Sequence, residues 1–210
     1  MKLLEKIIFL LRRPKVIIVT NNGKELTRAT ICQVLEKYFK KDKDFLIFDS
    51  DLIDPLDFDK FKFLIKHSSL PVLVATHTGE IPQDKILFAG NTEKTIKIRE
   101  LVISLPFRGF LVLNTDDETV KDLKINNSLT FGLSEKADIQ ASDIKVNGGT
   151  NFKIIYKGNI VPIWLGKIAD KEQIYATLAA VSVGAIFGLN LVETSQALKN
   201  FRTSDIISNT

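Results

Sequence analysis

The chain has 210 residues, 45% of them hydrophobic, with a formal net charge of +4 and one cysteine. That is enough apolar material for one sizeable core, and no apolar run approaches the roughly 20 residues of a bilayer span, so no integral membrane segment is expected. Cys32 alone cannot form an internal disulfide, and His67 and His77 are the only histidines, which excludes a His/Cys zinc cluster and fits a cytoplasmic chain.

Met1 to Arg13 resembles a signal peptide only superficially, because Glu5 and Lys6 interrupt it and no small-residue cleavage site follows. It reads as a short amphipathic helix over 1–13 that packs on the body of the protein, with a membrane-surface role as the alternative. Lys15 to Thr20 is a β-branched strand, Asn21-Asn22-Gly23 a turn, and the following run a helix with Ile31, Leu35 and Phe39 spaced by four. Cys32 lies on that helix as a half-buried thiol. Strand, tight loop and helix in this order open a parallel α/β unit. Within the loop, Gly23-Lys24 suggests a phosphate cradle: glycine admits an oxyanion to the backbone, the helix offers free N–H groups, and lysine adds a charge. A full P-loop reads G-x-x-x-x-G-K-[ST]. Here Ile18 holds the first glycine position, and Glu25 replaces the hydroxyl that would hold Mg2+ and repels phosphate. A plain strand-to-helix turn with a surface lysine is the competing reading.

The tight basic cluster Lys37, Lys40, Lys41 and Lys43 has no aromatics interleaved in a recognition pattern and reads as a solvated face, so nucleic acid is not an expected partner. Asp44 to Phe48 is a short buried strand. Asp49-Ser50-Asp51 at its end can hold a metal through oxygen ligands or start the turn into Asp54-Pro55, and both readings stand. A helix over Asp57 to His67 faces Phe58, Phe61, Leu64 and Ile65 inward. Leu70 to Ala75 is a strand ending in Thr76-His77-Thr78-Gly79, where His77 either meets a ligand or is solvated. Asn91 and Thr92 cap a helix to about Ser104 on Ile96, Leu101 and Ile103.

Gly109 to Asn114 is the clearest strand, and the acids after it, Asp116, Asp117 and Glu118, suit the first turn of a helix. Leu129 to Gly132 is a strand, and 137–140 with 143–147 form one ribbon. Asn151 to Tyr156 and Asn159 to Trp164 flank a Lys157-Gly158 hairpin turn, so an antiparallel add-on follows the parallel part. An Ala-rich helix runs from about Asp170 to Phe187, ended by Gly188, with Ala176, Ala179, Ala180 and Gly184 for close packing. A last helix, Leu191 to Phe201, is capped by Asn190, and 202–210 is a frayed tail.

The run from Gly109 to Phe201 resembles the second half of the central ATP-binding domain of the Mur ligases. The matching pieces are Gly109 to Asp117, Thr130-Phe131-Gly132, Ala137 to Ile144, Ile174 to Gly184, Phe187-Gly188-Leu189 and Gln196 to Phe201. Within the family it looks most like the branch that adds D-alanyl-D-alanine to UDP-N-acetylmuramoyl-tripeptide. Val16 to Leu35 resembles the family's strand, P-loop and helix more loosely, with Asn22-Gly23-Lys24 on its Asn-Gly-Lys.

The resemblance implies an α/β fold: a mostly parallel sheet flanked by helices, with a small antiparallel part, over 14–201. It implies ATP-dependent carboxylate–amine ligation in peptidoglycan precursor synthesis, with ATP and Mg2+ as cofactors. Lys24 would contact phosphate, Asn22 and Gly23 would line the cradle, Asn114 and Asp117 would lie near the nucleotide, and Asp49 and His77 would serve metal or polar contacts. The departures fall on the chemistry. Pro82 stands where the family has its metal-binding histidine, the modified lysine aligns to Ile98 or, with a slip of one, Lys97, and Glu172-Gln173 replace a nucleotide-side His-Asn pair. The family's UDP-sugar-binding and amino-acid-bringing domains have no counterpart in these residues. The ligase would act alone or with separately encoded domains; the alternative expectations are a catalytically silent homologue that binds a nucleotide or a full-length Mur ligase, and an interaction domain with no ligand.

Overall fold

A computed structural model of the chain describes residues 3–52, 54–166 and 168–199. The expected tail at 202–210 and the expected helix end at Phe201 lie outside them. Eight strands form one sheet in the order β2-β1-β3-β4-β5-β6-β7-β8. The first six are β1 (Lys15–Thr20), β2 (Phe45–Ser50), β3 (Pro71–Ala75), β4 (Phe110–Asn114), β5 (Ser128–Gly132) and β6 (Ile139–Val146), all paired in parallel. Then β7 (Thr150–Tyr156) and β8 (Asn159–Leu165) fold back antiparallel, so the add-on extends the same sheet. Their hairpin turns through Lys157 at φ 49 and Gly158 at φ 77, the left-handed pair that a two-residue type I′ turn requires.

Helices cover both faces. On one lie α2 (Lys24–Leu35), α5 (Lys171–Ile186) and α6 (Leu191–Leu198), whose Ile31, Val34, Leu178 and Val181 pack on Ile17, Val19, Val72 and Phe131. On the other lie α1 (Leu3–Arg12), α3 (Pro55–His67) and α4 (Thr92–Ile103), whose Phe61, Leu64, Ile98 and Leu101 pack on Val16, Ile18, Leu73 and Leu111. Strands covered on both sides need apolar residues at every position, which is why β1 and β3 read as unbroken apolar runs rather than alternating ones. Each fully buried Leu, Ile or Phe here contributes about 2 kcal/mol of transfer free energy.

Short polar side chains fix the helix starts. Asn91, Asp170 and Asn190 accept from Lys94 N, Gln173 N and Glu193 N, and Asn190 with Glu193 completes a capping box. Close approach of α5 to its neighbours follows from Gly184, where a Cβ would lie 3.2 Å from Thr194 Oγ1 and 3.5 Å from Val34 Cγ1.

Four expectations need correction. The buried face of α4 is Thr95, Ile98, Leu101 and Val102, while Ile96 and Ile103 are 60% and 77% exposed. Residues after β4 form turns and one 3-10 turn, Lys121–Leu123, because the acids there accept loop N–H groups instead of starting an α-helix. Helix α2 stops at Leu35, and Phe39 packs from the following turn, edge-on to Phe187 at 5.4 Å between centroids. Cys32 is buried, and burial pushes its thiol up to about 11.

Strand order places the crevice. From β1 the chain moves outward to β2 through α2 on one face, then returns through α3 on the other to lay β3 against the opposite side of β1. The reversal between β1 and β3 is a topological switch point, where open α/β sheets bind ligands beyond the carboxyl ends of their strands.

Candidate functional site at the carboxyl rim

The loop from β1 to α2 is short. Ile18 is 0% exposed inside β1, which continues to Thr20, so only Asn21, Asn22 and Gly23 remain before the helix begins at Lys24. A P-loop needs a longer wrap to surround a phosphate, and β1 has consumed the residues for it. Asn21 at φ 79 and Gly23 at φ 71 make the turn in the left-handed region. Asn22 between them forms an isolated antiparallel bridge with His77, its N–H donating to His77 O at 3.0 Å. The Asn22 side chain donates to Gly79 O at 3.2 Å and accepts from Lys94 Nζ at 2.7 Å. Thr76 Oγ1 donates to Thr20 O at 2.8 Å and ties the end of β3 to the end of β1.

The cradle is occupied by the protein's own carboxylates. Lys24 Nζ lies 2.9 Å from Glu25 Oε1 and 3.0 Å from Asp51 Oδ2. Burial alone would lower the Lys24 pKa, but its hydrogen bonds and charge contacts with Glu25 and Asp51 raise it above the usual lysine range. Across the turn, Glu172 in the first turn of α5 leans over Gly23: a Cβ built there would stand 2.6 Å from Glu172 Oε1 and 3.1 Å from His77 Cε1. Burial, with the nearby charges of Asp170 and Glu25, raises the Glu172 pKa. Glycine is thus needed twice over at position 23, for its φ and for the carboxylate above it.

Around this point lies a cleft of about 400 Å³ lined by Asn22, His77, Gly79, Glu80, Asp170 and Glu172 among others. Its carboxylates outnumber its one lining lysine, Lys171, whose ammonium is turned onto the carbonyls of Pro82, Gln83 and Lys85. Pro82 therefore serves as a carbonyl acceptor in a stapled loop. His77 is buried, not solvated, and burial together with Lys94 pushes its imidazole down to about 4 against the opposing pull of Asp117.

The remaining expected residues sit at the same rim but are spent on structure. Asp49, on β2 rather than in a loop, has its Oδ1 2.6 Å from Arg28 Nε. Asn114 is fully buried and accepts from Asp116 N at 3.0 Å. Asp117 is fully buried and accepts four hydrogen bonds: Thr78 N and Thr78 Oγ1 at 2.7 Å each, Thr119 Oγ1 at 2.7 Å and Thr119 N at 3.0 Å. Asp116 next to it accepts from Leu133 N, Ser134 N and the Tyr175 hydroxyl. Ile98 packs in the core and Lys97 is exposed. The lysine that reaches the phosphate-type loop is Lys94, one helical turn before Ile98.

Packing at this junction is tight enough to test directly. A Cβ at Gly90 would fall 1.8 Å from Thr78 Oγ1 and 2.5 Å from Asp117 Oδ2. Gly90→Ala is expected to cost about 3 kcal/mol by overpacking, read as a lower denaturation midpoint at unchanged m-value.

Four buried nitrogens here have no hydrogen-bond partner in the protein: Asn21 Nδ2, His77 Nδ1, Asn114 Nδ2 and Arg28 Nε, the last in a charge contact with Asp49 that lacks hydrogen-bond alignment. The rim therefore keeps neutral hydrogen-bonding capacity, and Lys94 keeps its charge there, resting on the neutral amide of Asn22. Among the described residues no group of three or more His, Cys, Asp or Glu is placed to hold a metal ion. A nucleotide phosphate at Gly23 does not fit these residues as they stand. Lys24 is paired with Glu25 and Asp51, the approach over Gly23 is taken by the Glu172 carboxylate, and Glu25 stands in place of the hydroxyl ligand.

Fold and rim together define a mononucleotide-type wound α/β protein whose binding crevice lies at the β1/β3 switch point. Its homologues are Mur ligases. UDP-N-acetylmuramate–L-alanine ligase of Persephonella marina is 32% identical over 105 residues, 48% of this chain and 22% of that protein. UDP-N-acetylmuramoyl-L-alanyl-D-glutamate–2,6-diaminopimelate ligase of Chlamydia muridarum is 30% identical over 105 residues, again 48% of this chain and 22% of that protein. The matched stretch is thus under a quarter of these relatives' length. Among solved structures, MurF ligase from Thermotoga maritima in complex with ADP superposes with a TM-score of 0.72 at 16% identity, covering 95% of this chain and 51% of that one, which shows the shared fold. No family model matches the chain.

Proposed function

We propose that this chain is a Mur-ligase-type domain of peptidoglycan precursor synthesis that does not perform ATP-dependent carboxylate–amine ligation by itself and acts in the cytoplasm by binding a full-length Mur ligase. The observation that carries this is the Glu172 carboxylate over Gly23, with Lys24 already held by Glu25 and Asp51. Acyl-phosphate formation needs a cation on the transferred phosphoryl group and a bridging metal, since positioning and charge stabilisation supply nearly all of its catalysis. A rim that presents carboxylates at those points works against the reaction.

A nucleotide-binding but inactive form is the second reading, favoured by Asn22, Gly23 and Lys24 standing at the switch point, where such folds take phosphate. The two are separated by melting with millimolar ATP–Mg2+. A ligand at a hundred times its Kd adds about 2.7 kcal/mol, a shift of several degrees. No shift and no phosphate release are expected. A rise that Lys24→Ala abolishes would replace the first reading with the second. Co-elution with purified full-length ligases tests the partner. The D-alanyl-D-alanine-adding enzyme, suggested by the run from Gly109 to Phe201, is tested beside the L-alanine- and diaminopimelate-adding enzymes, the kinds to which the chain is 32% and 30% identical over 105 residues. Binding to none of the three overturns the partnership.

A further inference from the structure

Helix α1 turns its apolar side away from the protein. At about 100° per residue, Leu10, Leu3, Ile7, Leu11, Leu4 and Ile8 follow one another around an arc of roughly 160°. Their exposures are 38%, 76%, 46%, 81%, 68% and 43%. Phe9, on the opposite side, is the only residue of the helix that is buried, with its ring 5.9 Å from that of Phe63 on α3. A helix that packs its polar-flanked back on the body and shows leucines to solvent is laid down for a second surface. The helix does pack on the body of the protein, but through Phe9 and not through its leucines.

Charge identifies that surface. Leu3–Arg12 with Arg13 and the adjoining α3 carry Lys6, Arg12, Arg13, Lys60, Lys62 and Lys66 against Glu5, Asp57 and Asp59. The ammonium groups of Lys6 and Lys62 lie over the rings of Phe63 and Phe58, 5.3 and 4.4 Å from their centroids. Two copies joined through α1 would bring these cations together. A sheet of anionic lipid headgroups neutralises them and offers acyl chains to the leucines. No helix among the described residues is long and apolar enough to cross a membrane, so the contact is with the surface. We infer that α1 and α3 form a peripheral docking face for an anionic lipid bilayer, with the α1 leucines seated at the headgroup–acyl boundary. This is independent of nucleotide and ligase binding at the rim.

Flotation of the full chain with phosphatidylcholine vesicles, with and without phosphatidylglycerol, tests it. Association is expected with the anionic vesicles and is expected to fall with salt. Leu4→Gln with Leu11→Gln, both at exposed positions, should leave the melting temperature unchanged and weaken partitioning by at least about tenfold. Lys6→Gln with Arg12→Gln should weaken it by about fivefold per charge and flatten the salt dependence. The inference is overturned if the chain does not float, or if it floats equally well without the leucines. It is overturned equally if light scattering shows a dimer that the leucine variant dissolves, since a second copy then covers the face.

Discussion

Asp117→Ala is expected to destabilise the protein by about 4 kcal/mol, the largest effect of any single substitution at the rim. The carboxylate is fully buried and accepts four hydrogen bonds, two from backbone N–H groups and two from hydroxyls. Truncation removes the acceptor and strands the donors. The hydroxyls of Thr78 and Thr119, 2.9 Å apart, can turn to each other, but the two N–H groups cannot move. Each stranded donor costs about 1–3 kcal/mol, and hydrogen bonds to a charged acceptor lie at the strong end of the range. The loss also frees the 78–91 segment, which Phe88 joins to the 116–118 turn by N–H donation to Asp116 O and acceptance from Glu118 N at 2.9 Å each. Urea unfolding should show a midpoint shift without a change in m-value. Asp117→Asn should retain about half the stability lost, because its amide oxygen still serves one threonine while its NH2 opposes the other's N–H. A loss under about 1 kcal/mol for the alanine variant would mean that this carboxylate does not hold the loop and is free for a ligand.

Architecture was largely legible because it depends on local signals. Apolar runs at Val16–Val19 and Val72–Ala75, the caps at Asn91, Asp170 and Asn190, and the Lys157-Gly158 turn each carry their meaning within a few residues. Misreadings arose where two faces compete. In α4 the isoleucines at 96, 98 and 103 allow more than one stripe, and the packing of Ile98 and Leu101 against β-strand residues selects among them. Asp116 and Asp117 match a helix N-terminus by composition, yet Leu133 and Thr78, brought in from just after β5 and from the β3–α4 loop, offer better donors. At the rim, the strand–loop–helix order located the crevice. Its electrostatics were not readable, because Glu172 over Gly23, Asp51 on Lys24 and Lys94 on Asn22 are tertiary encounters between distant segments. The one local warning was Glu25 directly after Lys24, and the structure adds Asp51 and Glu172 to that same charge balance.

His77 should make folding stability fall as the solution is acidified from pH 6.5 toward 4. Its imidazole, 4% exposed, is held at about 4 in the folded protein against the ordinary 6.5 of a free histidine. Burial disfavours the charged ring and Lys94 repels it, while Asp117 attracts it without prevailing. Above pH 6.5 both states are neutral, and the group contributes its full share. Between the two values the unfolded chain takes up a proton that the folded one refuses, so stability drops with a slope of up to about 1.4 kcal/mol per pH unit. The total is about 3 kcal/mol, complete near pH 4. Burial raises the carboxyl groups of Asp116 and Glu172, so over their own range the folded state binds protons more readily and their contribution has the opposite sign. A single pH profile therefore mixes the two trends. The difference between the profiles of the parent chain and His77→Gln cancels the shared carboxylates and should retain the histidine slope, steepest from pH 6 to 4.5. If the two profiles run parallel through that window, His77 charges freely in the folded state. The rim is then open enough to hydrate an imidazolium, and the bridge that holds His77 against Asn22 does not bury it in solution.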